Sequence, residues 1–97
     1  MAPTYLAGGI PRHINGTTRA GMVDVWQCPE GISNYLFFKN TGGAAIVLSF
    51  TKADADAGIG ISIANGASWE GPAQLSAFYT KAAAAQTFSS VAYIRRG

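Results

Sequence analysis

One cysteine, one histidine and five acidic residues among 97 leave this chain short of the groups that do chemistry. Each shortage excludes something. Cys28 stands alone, so no internal disulfide forms and the fold does not depend on an oxidising compartment. Charged residues make up 12% of the chain, about half the usual ~25%. The net charge is +2, and the seven basic residues are scattered apart from Arg95-Arg96. That is no electrostatic footprint for nucleic acid. No apolar run approaches the ~18 residues of a membrane-spanning helix. The start, Met1-Ala2-Pro3-Thr4-Tyr5, has neither a basic n-region nor an apolar h-region, so no signal peptide is expected. Asn15-Gly16-Thr17 fits a glycosylation sequon, which carries weight only in a secreted chain.

What is present is apolar and aromatic. The apolar share is 48%, but 17 of those residues are alanine, and Leu, Ile, Val and Phe number 21. Ninety-seven residues make one domain with a modest core. A sparsely charged surface suits a protein packed against copies of itself or a larger body better than a free monomer.

Strand signals run along most of the chain. Residues 1–21 hold Pro3, Gly8, Gly9, Pro11, Gly16 and Gly21 without a period of 2 or 3.6. They read as an extended N-terminal arm, with one tethered strand conceivable near Leu6–Ile10. Residues 22–97 read as the folded domain. Met22–Cys28 reads as a strand ending at Pro29-Glu30-Gly31, and Asn34–Asn40 as a strand apolar on both faces. Asn40-Thr41-Gly42-Gly43 is a turn signal before the alternating Ala44–Thr51, so those two strands are expected to form a hairpin. Lys52–Gly58 reads as a polar loop. Ile59, Ile61 and Ile63 alternate into the core, and Asn65-Gly66 is a hairpin dipeptide leading to Ala67–Glu70. Gly71-Pro72 is expected to end that strand. Gln74–Lys81 is the next strand, with a helix over Ala73–Ala85 as the rival reading. Ser89–Arg95 closes the domain. The sum is an all-β antiparallel sandwich of seven or eight strands, jelly-roll or immunoglobulin-like, with an N-terminal arm.

Candidate sites are few. Asp54-Ala55-Asp56-Ala57-Gly58 opens like a calcium loop but lacks the later oxygen ligands, and a solvated loop is the plainer reading. His13 has no acid or thiol at a telling spacing, and Cys28 reads as a small buried hydrophobe. Trp26, Trp69, Tyr5, Tyr35, Tyr79 and Tyr93 could furnish a platform for sugar rings, or could fill core and interfaces. No catalytic, cofactor or metal residue is assigned, and an enzyme is not expected.

From Tyr35 onward the chain resembles the small β-sandwich structural proteins of tailed-bacteriophage virions. The resemblance rests on Asn40, Gly42, Gly58, Ile61, Ile63, Gly66, Ser68, Trp69, Glu70 and Pro72, and on a basic end at Arg95-Arg96. It covers about two-thirds of the chain. It implies a capsid decoration or cement protein located in the virion and made in the host cytoplasm. It leaves tail-associated structural proteins open, and a carbohydrate-binding or host-attachment module stands as the alternative. The expected partners are a major capsid protein or other virion protein and further copies of the chain, as a homo-oligomer, a trimer, without cofactor, nucleic acid or membrane. The contact residues expected on this reading are Tyr5, Leu6, Ile10, Arg12, Tyr35, Phe37, Trp69, Arg95 and Arg96.

Overall fold

A computed structural model describes residues 9–28 and 32–95, and within it the chain forms two antiparallel sheets around one core. The elements are β1 (Gly9–His13), β2 (Gly16–Thr17), β3 (Val23–Gln27), β4 (Ser33–Asn40), β5 (Ile46–Ser49), α1 (Lys52–Asp56), β6 (Ile61–Ile63), β7 (Ser68–Leu75), β8 (Ala77–Lys81) and β9 (Thr87–Arg95). Sheet one has the order β1-β9-β4-β7, with β2 also on β9; sheet two has the order β3-β8-β5-β6. The all-β expectation holds, and no described helix is long and apolar enough to cross a membrane.

The inner faces supply the core. Leu36 and Phe38 of β4 and Phe88, Ala92 and Ile94 of β9 bury against Ile46, Leu48, Ile63 and Phe78 of sheet two. Aromatic rings carry the contact between sheets. Trp26 meets Phe88 edge-on at 4.8 Å, and Phe38 meets Phe78 edge-on at 5.9 Å. Such pairs add about 0.5–1.5 kcal/mol each beyond their buried area. Gly16 makes room for this packing, since a Cβ there would stand 2.4 Å from the Trp26 ring.

Connectivity departs from expectation at the turns. The expected hairpin of 34–40 with 44–51 does not form: β4 lies in sheet one and β5 in sheet two. Both strands have one strongly apolar face, and the two faces meet across the sandwich instead of lying side by side. Asn40 fixes the crossing. Its buried amide donates to the Ala44 and Ile63 carbonyls at 2.7 and 2.9 Å and accepts from the Gly42 N–H at 2.8 Å. Nor does Asn65-Gly66 close a hairpin. It sits in a turn closed by Ala67 N–H to Ala64 C=O, with Gly66 at φ 77°, and the turn carries the chain from β6 in sheet two to β7 in sheet one.

Gly71-Pro72 does not end its strand, because β7 is an edge strand and its outward positions need no donor. Gln74–Lys81 is not one strand. The chain bends at Ser76, with β7 in sheet one before it and β8 in sheet two after it. These strands also rule out the rival helix over 73–85. The polar loop at 52–58 is in part a helix: Thr51 caps α1 by accepting from Asp54 N–H at 3.2 Å. Ile61 and Ile63 pack inward, whereas Ile59 is 60% exposed.

The described part of the expected arm is sheet. Residues 9–13 and 16–17 run antiparallel along β9, Ile14 packs on the core, and Thr18 is buried. Pairing with the long β9 satisfies this backbone without any side-chain period. Residues 1–8, with Tyr5 and most of the conceivable strand at Leu6–Ile10, lie outside the described residues.

Candidate functional site

The register of sheet one gathers a patch on its outer face. Inward residues of β9 alternate with outward ones, so Phe88, Ser90, Ala92 and Ile94 are buried while Ser89, Val91 and Tyr93 are half-buried. On β4, Leu36 and Phe38 point in and Tyr35 and Phe37 point out. Cross-strand register then sets Pro11, Tyr93, Tyr35 and Pro72 in one row, and His13, Val91, Phe37 and Glu70 in the next. The two tyrosine rings meet edge-on, 6.0 Å apart, and the Tyr35 hydroxyl donates to Glu70 Oε2 at 3.1 Å. A bulge between Ser33 and Tyr35 sets this phase. The result is an apolar, aromatic centre with exposed Pro11, His13, Glu70 and Pro72 at its margins.

A cleft lies on the outer face of sheet two. Val23, Val25 and Tyr79 line an open cleft of about 280 Å³ with Lys52 and Asp56 of α1. Lys52 Nζ and Asp56 Oδ2 pair at 2.7 Å, one turn apart. That bond holds the Lys52 ammonium above its usual pKa.

The expected contact residues separate in space. Tyr35 and Phe37 share the outer patch. Arg12 pairs in register with the buried Ala92, so it lies on the inner side of β1 at the sheet margin, half-buried. Trp69 also belongs to the inner side. It is opposite Phe38 in register, and its ring lies 5.4 Å from Phe50 at the rim of the core. Ile10 and Arg95 are placed by backbone alone, Ile10 opposite Ile94 and Arg95 opposite Gly9. Tyr5, Leu6 and Arg96 lie outside the described residues. Among the described residues the aromatics do not gather into one platform: Trp26 and Trp69 pack on the core, Tyr79 is on sheet two, and Tyr35 and Tyr93 adjoin.

No metal-ligating cluster of three His, Cys, Asp or Glu occurs among the described residues. Asp54 and Asp56 stand two apart on a helix, so their carboxylates diverge, and Asp56 is spent on Lys52. Cys28 is buried, and desolvation pushes its thiol pKa up despite a backbone hydrogen bond involving Ser33. It is therefore a poor nucleophile at neutral pH.

No family model, curated protein or solved structure matches this chain. Within the patch, Val91, Pro11 and Pro72 were not legible as contact residues. The alternation of Ser89, Val91 and Tyr93 against buried neighbours is the signal that points to the first.

Proposed function

We propose that the chain is a structural protein of a bacteriophage virion, a decoration or cement protein that binds and stabilises a capsid by protein–protein contact. The supporting observation is the outer face of sheet one, where Tyr35, Phe37, Val91 and Tyr93 lie contiguous on a surface with few charges. Tyr-rich, charge-poor centres with polar margins are the composition of protein contact surfaces. In this reading the protein acts without catalysis, as a homo-oligomer, on the assembled shell. The sandwich is of the jelly-roll or immunoglobulin-like type. Subunits that bind only the assembled shell raise its resistance to disruption by mass action.

The test compares shells carrying and lacking the protein under heat. Decorated shells should disrupt at a higher temperature, and Phe37→Ser with Tyr93→Ser should remove the protein from the shell while leaving it folded. A second reading, a glycan-binding module, is favoured by one observation. Two adjoining tyrosines lie beside the Glu70 carboxylate, which already accepts from Tyr35. Equal shell stability together with binding of the isolated protein on a glycan array would move the assignment there.

A further inference from the structure

The four edges of the two sheets are protected unequally. In the antiparallel ladder of β1 with β9, Ile14 N–H bonds Ser90 C=O at 3.0 Å, so the even-numbered residues face β9 and Pro11 turns its nitrogen to the open side. The same parity holds at β7. Asn40 N–H bonds Ala67 C=O, which leaves Ser68, Glu70 and Pro72 directed outward. Proline removes a donor from each of these edges, and Glu70 adds a charge to the second. β6 is only three residues long. Proline, charge and shortness are the usual devices against edge-to-edge pairing.

β3 is as long as β1, has no proline, and carries no charge on the residues of its open side. Cys28 N–H bonds Ser76 C=O at 2.8 Å, which fixes Asp24 and Trp26 as the residues facing β8. Val23, Val25 and Gln27 therefore turn their N–H and C=O groups to the open side. The Val23 carbonyl accepts from Arg19 Nη2 at 3.3 Å, which uses one of its two lone pairs. No described residue takes the outward groups of Val25 or Gln27. Their side chains lie on the outer face of sheet two and are uncharged, and Val25 is 52% exposed. Asp24, the acid within β3, is paired with Arg19 at 2.6 Å, and Asp56, the acid at the cleft, is paired with Lys52 at 2.7 Å.

We infer that β3 is a homodimer edge, pairing antiparallel with β3 of a second copy about a two-fold axis at Val25. The strand is self-complementary in that register. Val25 exchanges both outward backbone bonds with the second copy's Val25, and Gln27 faces the second copy's Val23. No like charges oppose one another, because the row holds none. The pairing joins the two sheets numbered two into one continuous sheet. It also brings together the two clefts lined by Val23, Val25 and Tyr79, so the exposed valines cover one another. An isologous contact of this kind is the commonest in soluble oligomers. It makes the copy number even, so a trimer cannot be built on it alone. The inference is independent of any shell.

Sedimentation of the full chain over a wide concentration range tests this. A monomer–dimer equilibrium is expected. Val25→Lys and Val25→Pro should each weaken self-association by roughly tenfold or more, with the circular dichroism unchanged, since neither group bonds β8. The control His13→Lys, on the protected β1 edge, should leave the dimer intact. In hydrogen exchange, the Val25 and Gln27 amides should gain protection with concentration. A chain that stays monomeric or forms a trimer overturns the inference. So does a dimer whose mass and exchange pattern ignore both Val25 variants.

Discussion

Buried amides and hydroxyls, rather than extra apolar bulk, hold the crossings between the sheets. Asn40 makes three side-chain hydrogen bonds from a fully buried position, and its main-chain groups bond Ala67 and Gly66. Gln86 does the same at the other crossing. Its Oε1 accepts from Gly43 and Ala44 N–H, and its main-chain N–H donates to Thr18 Oγ1. Asn40→Ala would leave the buried Ile63 carbonyl and the part-buried Ala44 carbonyl and Gly42 N–H without their partner. A loss of about 2–4 kcal/mol is expected at roughly 1–3 kcal/mol per unsatisfied group, part of it relieved by water. Urea unfolding would read it as a lower midpoint at unchanged slope. Asn40→Asp should be at least as harmful, because a carboxylate cannot donate to the Ala44 and Ile63 carbonyls.

Cys28 gives a second prediction at this scale. Its folded-state pKa is raised by burial, so the folded state favours the neutral thiol. The sign follows by linkage: this contribution to stability is fully present below the unfolded thiol's pKa and is lost as pH rises through the folded one. Stability should therefore fall in the alkaline range by less in Cys28→Ala than in the native chain. Modification by a thiol reagent at neutral pH should track global unfolding, and rapid labelling of the folded protein would contradict that.

Among the elements, those whose pattern is local were legible and those that depend on partner choice were not. Ile46 and Leu48 alternate with Val47 and Ser49, and β5 follows that period. The alternation cannot say whether the neighbour lies beside the strand or across the core, so both expected hairpins became sheet crossings. β7 and β8 read as a run broken at Gly71-Pro72, yet the break falls at Ser76. An edge strand tolerates proline, while the sheet switch leaves no composition signal. β1 and β2 have no period because pairing to β9, not an apolar face, fixes them. The patch was half legible: Tyr35 and Phe37 stood out as apolar on both faces, but Pro11 and Pro72 join them only through register.

α1 was missed although its signal was present. Thr51-x-x-Asp54 is the opening of a capping box, and Lys52 pairs with Asp56 one turn on. Thr51→Ala should cost about 1 kcal/mol, the usual worth of a Thr cap. Thermal unfolding would show it as a fall of several degrees, while Thr51→Ser should be close to neutral. Equal losses from both variants would mean that the cap contributes little.

At the scale of the whole molecule, the boundary expected after residue 21 does not separate an arm from a domain. Residues 9–18 follow β9 in one unbroken register, closed by Ile14 N–H to Ser90 C=O and Thr18 N–H to Gln86 C=O. They cover one side of β9, and Gly16 accommodates the ring of Trp26. Thr18 Oγ1 also donates to Ala84 C=O, so the segment ties the last connection in place. Removing residues 1–20 would leave β9 as a bare edge, open Phe88 and Ile94 to water and take the partners of Gln86 and Ser90 away. That variant should fail to unfold cooperatively or lose most of its stability. Removing residues 1–8 touches none of these bonds and should leave the melting temperature within a few degrees of the native value. The pair separates two meanings of an N-terminal extension. If the shorter deletion alone abolishes attachment to a shell, residues 1–8 carry contact. If the longer deletion still melts cooperatively at the native temperature, the pairing along β9 is dispensable and the described sheet is larger than the folding unit.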